Sequence, residues 1–145
     1  MPVVEESIVI NKPRAEVFAY AADSEHFLHW ASTLTAFEAT PPGAFQADTT
    51  AKGTLRVAGR SFDWSAEMAD FEDGVMFGLR SVESAMPFDY SYRFEDVADG
   101  TRVTFHTDTP DPTGFFGKLT EPVVLRIYTH GVKTNLENLK ALLEA

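Results

Sequence analysis

The sequence has no cysteine among its 145 residues and no long hydrophobic run. Without cysteine, a disulfide framework, a thiolate metal site and a cysteine nucleophile are all excluded, which suits a reducing cytoplasm. No apolar run approaches the ~20 residues that a membrane span needs, and the first residues lack the charged-then-apolar pattern of a signal peptide. We therefore expect a cytoplasmic protein without membrane insertion.

Positive charge is also scarce, because 12 Lys and Arg face 22 Asp and Glu, which leaves a net charge of −10. Such a surface is repelled by nucleic-acid phosphates and by anionic lipid head groups. The glycines form neither a GxGxxG nor a P-loop pattern, so nucleotide cofactors are not indicated. We expect no nucleic-acid partner and no cofactor. The length and the 44% hydrophobic content predict one domain over residues 1–145, as a monomer or a homodimer.

The periodicity of the apolar residues changes twice along the chain. Residues 3–10 are rich in Val and Ile and predict a strand, and two short helices follow over residues 13–22 and after the capping pair at 23–24. From about residue 34 to 109 the apolar residues alternate and turn signals interrupt them, which predicts a six-strand antiparallel meander. The remainder has helical periodicity, and the helix either kinks at Pro122 or begins there after a separate turn at residues 115–119.

These periods assign an apolar face to each element. The strand alternation predicts inward side chains at Phe62, Trp64, Ala66, Met68, Phe88, Tyr90, Tyr92, Phe94, Val103, Phe105 and Thr107. The helical wheel places Val124, Tyr128, Gly131, Val132, Asn135, Leu136, Leu139, Leu142 and Leu143 on one broad face. The last helix is therefore expected to lie along an apolar surface.

Five motifs in order carry a resemblance to a known family. They are the stretch from Ile10 to Phe18, Asp23 with Trp30, Lys52-Gly53-Thr54, the stretch from Tyr92 to Val103, and the stretch from Leu136 to Glu144. With them the sequence resembles the START/SRPBCC superfamily, in its polyketide cyclase/dehydrase-like branch. The resemblance implies the α+β helix-grip fold, in which a curved seven-strand antiparallel sheet wraps around a long C-terminal helix and two short helices separate strands 1 and 2.

The same resemblance implies a hydrophobic cavity between sheet and helix that holds lipids, polyketides, hormones or other apolar molecules. Its members include enzymes and pure binders, so the fold does not decide the function. The candidate ligand-binding residues are Trp64, Met68, Phe77, Leu79, Phe88, Tyr90, Tyr92, Phe105, Tyr128, Val132 and Asn135. Ordinary core packing is the alternative for each of them.

Asn135 lies near the centre of the buried helix face, where its amide needs a hydrogen-bond partner. Either a ligand or a structural tie to a strand or to Tyr92 would supply that partner. Gly131 in mid-helix leaves room either for a ligand or for close packing of the sheet.

The remaining polar candidates favour surface positions. His26 and His29 are spaced for one helical face but lack a third ligand, so we expect a solvated helix end and no metal site. His106 and His130 are expected at the surface, and so is Arg80, although the opposite strand register would place Arg80 in the pocket. A triad of Ser81 or Ser91 with His106 and Asp108 exists on paper, without a nucleophile-elbow sequence. The catalytic residues are therefore left unassigned.

Three functions remain open. The first is binding of a small hydrophobic, ring-containing molecule, which a cavity too small for a benzene-sized ring would contradict. The second is a cyclase, dehydrase or isomerase acting on a cyclic carbonyl compound, with Tyr90, Tyr92 and Tyr128 holding the substrate and Asn135 orienting it. An uncharged cavity lining would count against this proton-transfer chemistry. The third is an interaction module that docks a protein partner on the sheet or helix.

Overall fold

A seven-strand antiparallel sheet and three helices make up the computed structural model, which describes residues 3–57, 59–84, 88–108 and 122–145. The elements in chain order are β1 (Val3–Ile10), α1 (Arg14–Ala21), α2 (Ser24–Trp30), β2 (Leu34–Thr40), β3 (Thr50–Val57), β4 (Arg60–Glu72), β5 (Met76–Ser84), β6 (Asp89–Val97), β7 (Gly100–Asp108) and α3 (Pro122–Glu144). The predicted turns at Met86-Pro87 and at residues 115–119 lie outside the described residues.

The strand order in the sheet is β1-β7-β6-β5-β4-β3-β2, so the meander continues from β2 to β7 and β1 joins its far edge. Helix α3 packs against β1 and α2, and the curled sheet wraps around it. The predicted helix-grip arrangement is confirmed. None of the helices in the described part of the chain is long and apolar enough to cross a membrane.

The two short helices have local causes. Pro13 stands at the N-cap of α1, where its missing N–H is not needed. The Asp23 carboxylate accepts a 2.9 Å hydrogen bond from the Glu25 backbone N–H and so caps α2. Phe27 and Trp30 are completely buried and anchor α2 to the core. Both predictions for this segment, the cap and the two anchors, are confirmed.

The predicted strand faces are confirmed wherever the side chains are described. Two irregularities interrupt the β4–β5 ladder, between Ser65 and Ala66 and between Met68 and Asp70. The first leaves Val82 as an extra residue of β5, and its side chain is 63% exposed. Arg80 points outward and forms a 2.9 Å ion pair with Glu67, as the favoured register predicts.

Helix α3 is described from Pro122 to Glu144, and the residues before Pro122, which decide between a kink and a start at this proline, lie outside the described residues. Its buried face contains Tyr128, Val132, Asn135, Leu136 and Leu139. The assignment of Leu142 to this face is wrong, because its side chain is 44% exposed.

The cause lies in how the last turn of α3 is held. Lys140 donates to the Val9 carbonyl at 2.7 Å, and Glu144 accepts from the Asn11 N–H at 2.8 Å. Leu142 lies on the other side of the helix from these two ties.

Candidate ligand cavity

A cavity lies between the sheet and α3, and aromatic rings form much of its wall. Eight of the eleven predicted ligand residues line it, namely Trp64, Phe88, Tyr90, Tyr92, Phe105, Tyr128, Val132 and Asn135. They come from β4, β6, β7 and α3 together with the residue that precedes β6. The strand alternation brings these rings to one face, and α3 closes the space above them.

Three predicted residues, Met68, Phe77 and Leu79, are buried but do not belong to the cavity lining. Phe77 is completely buried, and its ring meets those of Phe18, Phe27, Phe45, Tyr92 and Phe94 at centroid distances of 5.1 to 6.3 Å. These contacts favour the core-packing alternative for Phe77 over a ligand contact.

Five lining residues were not among the candidates. They are Phe27, Ala31, Thr33, Leu34 and Leu55. Phe27 had a signal as the α2 anchor, and Leu55 shares its strand face with the buried Ala51, so the alternation of β3 would have found it. Ala31 and Thr33 belong to the connection from α2 into β2, where no periodicity predicts the direction of a side chain, and Leu34 is the first residue of β2, beside a register shift in the β2–β3 ladder.

The cavity volume is about 40 Å³. A water molecule needs roughly 10–15 Å³ of such space, whereas an apolar cavity of ~150 Å³ engineered in another protein takes up benzene. In this conformation the cavity therefore does not meet the size criterion for a benzene-sized ring. Uptake of a ring requires the wall to move.

Asn135 ties one wall of the cavity to α3. Its Oδ1 accepts hydrogen bonds from the Ser32 backbone N–H at 2.8 Å and from the Ser32 hydroxyl at 2.9 Å. Its Nδ2 donates to the Thr33 hydroxyl at 3.1 Å. The partners are neither Tyr92 nor a strand but the connection between α2 and β2. These bonds favour the structural alternative for Asn135.

Gly131 makes the same junction close. A Cβ atom at this position would lie 2.8 Å from the Thr33 methyl group, so the missing side chain allows α3 to approach the connection. The space at Gly131 is therefore occupied by Thr33.

Three tyrosines of the lining are protonated at neutral pH. Burial raises the pKa of Tyr90, Tyr92 and Tyr128 well above the ordinary value, and for Tyr90 and Tyr92 the neighbouring phenols raise it further. A neutral phenol donates a hydrogen bond but does not accept a proton. The described lining contains no carboxylate, imidazole, ammonium or guanidinium group.

His26 has its partners away from the cavity. The His26 ring stacks on Tyr20 at 4.3 Å, and its Nδ1 lies 3.2 Å from the Tyr20 carbonyl oxygen. Nowhere in the described ranges do three or more potential ligands cluster to hold a metal ion.

The triad of Ser81 or Ser91 with His106 and Asp108 is described only in part. The Ser81 hydroxyl donates to the Phe88 carbonyl and accepts from the Phe88 N–H. His106 Nδ1 pairs with Glu5 at 3.1 Å. The side chain of Asp108 lies outside the described part, and Ser91 is the strand neighbour of His106.

Comparison with known proteins gives a family match over nearly the whole chain and several solved structures of the same fold. A sequence model of a family described as polyketide cyclase / dehydrase and lipid transport matches residues 1–144. No curated protein matches the sequence.

Three solved structures show the same fold at low identity. The protein TTHA0849 from Thermus thermophilus is 21% identical with a TM-score of 0.77, over 97% of this chain and 95% of that one. The Zhui aromatase/cyclase from Streptomyces sp. R1128 is 14% identical with a TM-score of 0.74, over 99% and 93%. The Polyketide_cyc-like protein Cgl2372 from Corynebacterium glutamicum is 20% identical with a TM-score of 0.62, over 99% and 94%.

Proposed function

The chain belongs to the polyketide cyclase / dehydrase and lipid transport family, and from this premise we propose that it binds a small apolar, ring-containing molecule between the sheet and α3. One observation carries the proposal: the cavity is lined almost entirely by aromatic and aliphatic side chains, with a few polar groups among them. Sites for small molecules have this composition, since apolar walls supply affinity and sparse polar groups fix orientation.

The proposal includes an enlargement of the cavity on binding. The wall most suited to move is the connection of residues 31–33 together with Leu34 at the very start of β2. Ala31, Thr33 and Leu34 line the cavity, and Thr33 and Leu34 are partly exposed. The Asn135 side chain ties this connection to α3 through three hydrogen bonds. Displacing a short connection disturbs fewer packed groups than separating the strands, whose ladders continue across the sheet.

Binding of two small probes tests this function. Calorimetric titration of the protein with ethylbenzene and with acetophenone should show 1:1 binding. Native mass spectrometry of protein isolated without organic solvent should show a stoichiometric apolar molecule. Val132→Phe adds bulk inside the cavity wall and should abolish binding of both probes.

The matched control is Ile127→Phe, which adds a ring on the same helix at an exposed position and should leave binding unchanged. Circular dichroism verifies that both variants are folded. If neither probe binds the unmodified protein, or if Val132→Phe binds them as the unmodified protein does, the proposed function is wrong.

An enzymatic role is the weaker alternative. Cyclisation, dehydration and isomerisation all need a group that accepts a proton, and the described lining provides protonated phenols without a carboxylate or imidazole. The likeness to an aromatase/cyclase at 14% identity concerns the fold. The interaction-module hypothesis stays a prediction.

A further inference from the structure

We propose that Tyr90 and Tyr92 make the cavity selective for neutral ring compounds with a hydrogen-bond-accepting oxygen, against plain hydrocarbons and against carboxylates. The inference rests on the proposed function and names the chemistry of the ligand that this site would take. Three observations support it: the hydrogen-bonding state of the two hydroxyls, their placement, and the absence of charge in the described lining.

The first observation is that the two hydroxyls lack partners. Neither the Tyr90 nor the Tyr92 hydroxyl has a hydrogen-bond partner within the described ranges. Among the described residues, Trp30 Nε1 is the side-chain nitrogen or oxygen that is both fully buried and without a hydrogen-bond partner. Because the two phenol oxygens have no partner and do not belong to this category, they are not fully buried. Since both residues line the cavity, we infer that their hydroxyls border its open space.

The second observation is their placement on one strand. Tyr90 and Tyr92 are two residues apart on β6, so their side chains share the inner face of the sheet. Their ring centroids are 5.8 Å apart and their planes nearly perpendicular. Burial keeps both phenols protonated and raises the pKa of each, and the nearby Tyr90 phenol raises the pKa of Tyr92 further. The pair therefore presents two neutral donors to one small space.

The third observation is the charge around the pair. The described lining holds no cationic side chain, and the chain carries a net charge of −10. A carboxylate bound there would lose its hydration without gaining a positive partner, which is strongly unfavourable. A ketone, aldehyde or ether oxygen needs less hydration and accepts from the phenols.

The preference over a hydrocarbon follows from the unpaired donors. A hydrocarbon in the cavity would leave both hydroxyls without a partner and without water, whereas an acceptor oxygen pairs at least one of them. One such hydrogen bond stabilises the complex, and a buried donor left unsatisfied costs somewhat more than the bond contributes. We therefore expect the phenols to favour the acceptor by about tenfold in affinity.

The experiment measures the dissociation constants of ethylbenzene, acetophenone and benzoate by calorimetry. The deciding quantity is the ratio of the ethylbenzene constant to the acetophenone constant. The cost of removing each probe from water is the same for every variant. A change in the ratio between variants therefore measures a change in the interactions inside the cavity. In the double variant Tyr90→Phe/Tyr92→Phe the ratio should fall by about tenfold, while ethylbenzene binds as well or better. Benzoate should not bind measurably where acetophenone saturates the protein.

Tyr20→Phe is the control, since Tyr20 lies on α1 outside the lining, and the ratio should not move. If the double variant does not fold, infrared spectroscopy of acetophenone bound to the unmodified protein replaces it. The carbonyl stretch should then appear at lower frequency than in hexane. An unchanged ratio, an unshifted stretch, or benzoate binding equal to that of acetophenone overturns the inference. Ethylbenzene binding in each of these cases would still uphold the proposed function, whereas that function fails when no probe binds.

Discussion

Replacing Asn135 by leucine tests whether the amide is a structural tie. The substitution removes an acceptor from the Ser32 N–H and hydroxyl and a donor from the Thr33 hydroxyl, at distances of 2.8, 2.9 and 3.1 Å. Each of the three hydrogen bonds that the variant loses contributes about 1 kcal/mol to the free energy of unfolding. Leucine returns roughly 1 kcal/mol through the apolar area that it buries, and water reaches the exposed Ser32. We expect a net loss of about 2 kcal/mol.

Urea unfolding followed by circular dichroism measures this loss, and thermal unfolding should show a Tm lower by roughly 4–8 °C. The m value should not change, because the same surface is exposed on unfolding. Asn138→Leu is the matched control on the same helix, since it removes one hydrogen bond of 3.3 Å, to the Trp30 carbonyl, and should have a smaller effect. A variant as stable as the unmodified protein, with weaker binding of acetophenone, would show instead that Asn135 serves the ligand.

Three further predictions concern the helix junction, acid and alkali. Helix propensity alone favours Gly131→Ala by about 1 kcal/mol, but this stabilisation should not appear, because the new Cβ would lie 2.8 Å from the Thr33 methyl group. The stabilisation should appear when Thr33→Ser removes that methyl group. Urea unfolding of the unmodified protein, the two single variants and the double variant checks both expectations. Hydrogen bonds from Asn11 and Lys140 lower the pKa of Glu144 below its ordinary 4.5, so its stabilisation is present above pH 4.5 and is lost as the pH falls through the lowered value. The Tm difference between the unmodified protein and Glu144→Gln should accordingly shrink on acidification. A Tm difference that stays constant from pH 7 to pH 3 would contradict this expectation. Glu137→Gln, on the exposed side of the helix, is the control. The raised pKa of Tyr90, Tyr92 and Tyr128 means that the folded protein keeps protons that the unfolded chain releases above pH 10.0, so stability should fall as the pH rises past that value. Absorbance at the phenolate band should then show these three groups ionising together with unfolding, and their ionisation in a protein that is still folded would refute the buried assignment.

The architecture could be predicted because each element has a strong local signal. Alternating residues predicted the faces of β4, β6 and β7, and an Asp-Ser pair predicted the start of α2. The phase of a helical wheel also identified Tyr128, Val132 and Asn135 as buried. Leu142 was misplaced because the wheel treats the helix as uniformly covered along its length, whereas the last turn is held on one side by its ties to residues 9 and 11.

The site could be predicted less completely, for two physical reasons. An inward side chain on a strand can contact either a cavity or other side chains, and the alternation is the same for Phe77 and Phe88 although only Phe88 lines the cavity. The connection of residues 31–33 has no period at all, so its approach to α3 depends on contacts more than 100 positions apart in the sequence, such as Ser32 with Asn135. Such pairings are set by the tertiary fold, beyond the reach of local patterns.

The pairing of β1 with β7 determines when the fold can be completed. Val3 lies opposite Asp108 and Ile10 opposite Thr101, so about a hundred residues must form a loop before the first strand gains its neighbour. Helix α3 then reaches back to the same strand through Lys140 and the Val9 carbonyl. Contacts between such distant segments slow folding because the entropy of loop closure is lost before the contacts form. During synthesis the first strand therefore waits, unpaired within this sheet, for the last strand and helix, and that interval is when it is most open to pairing with another chain.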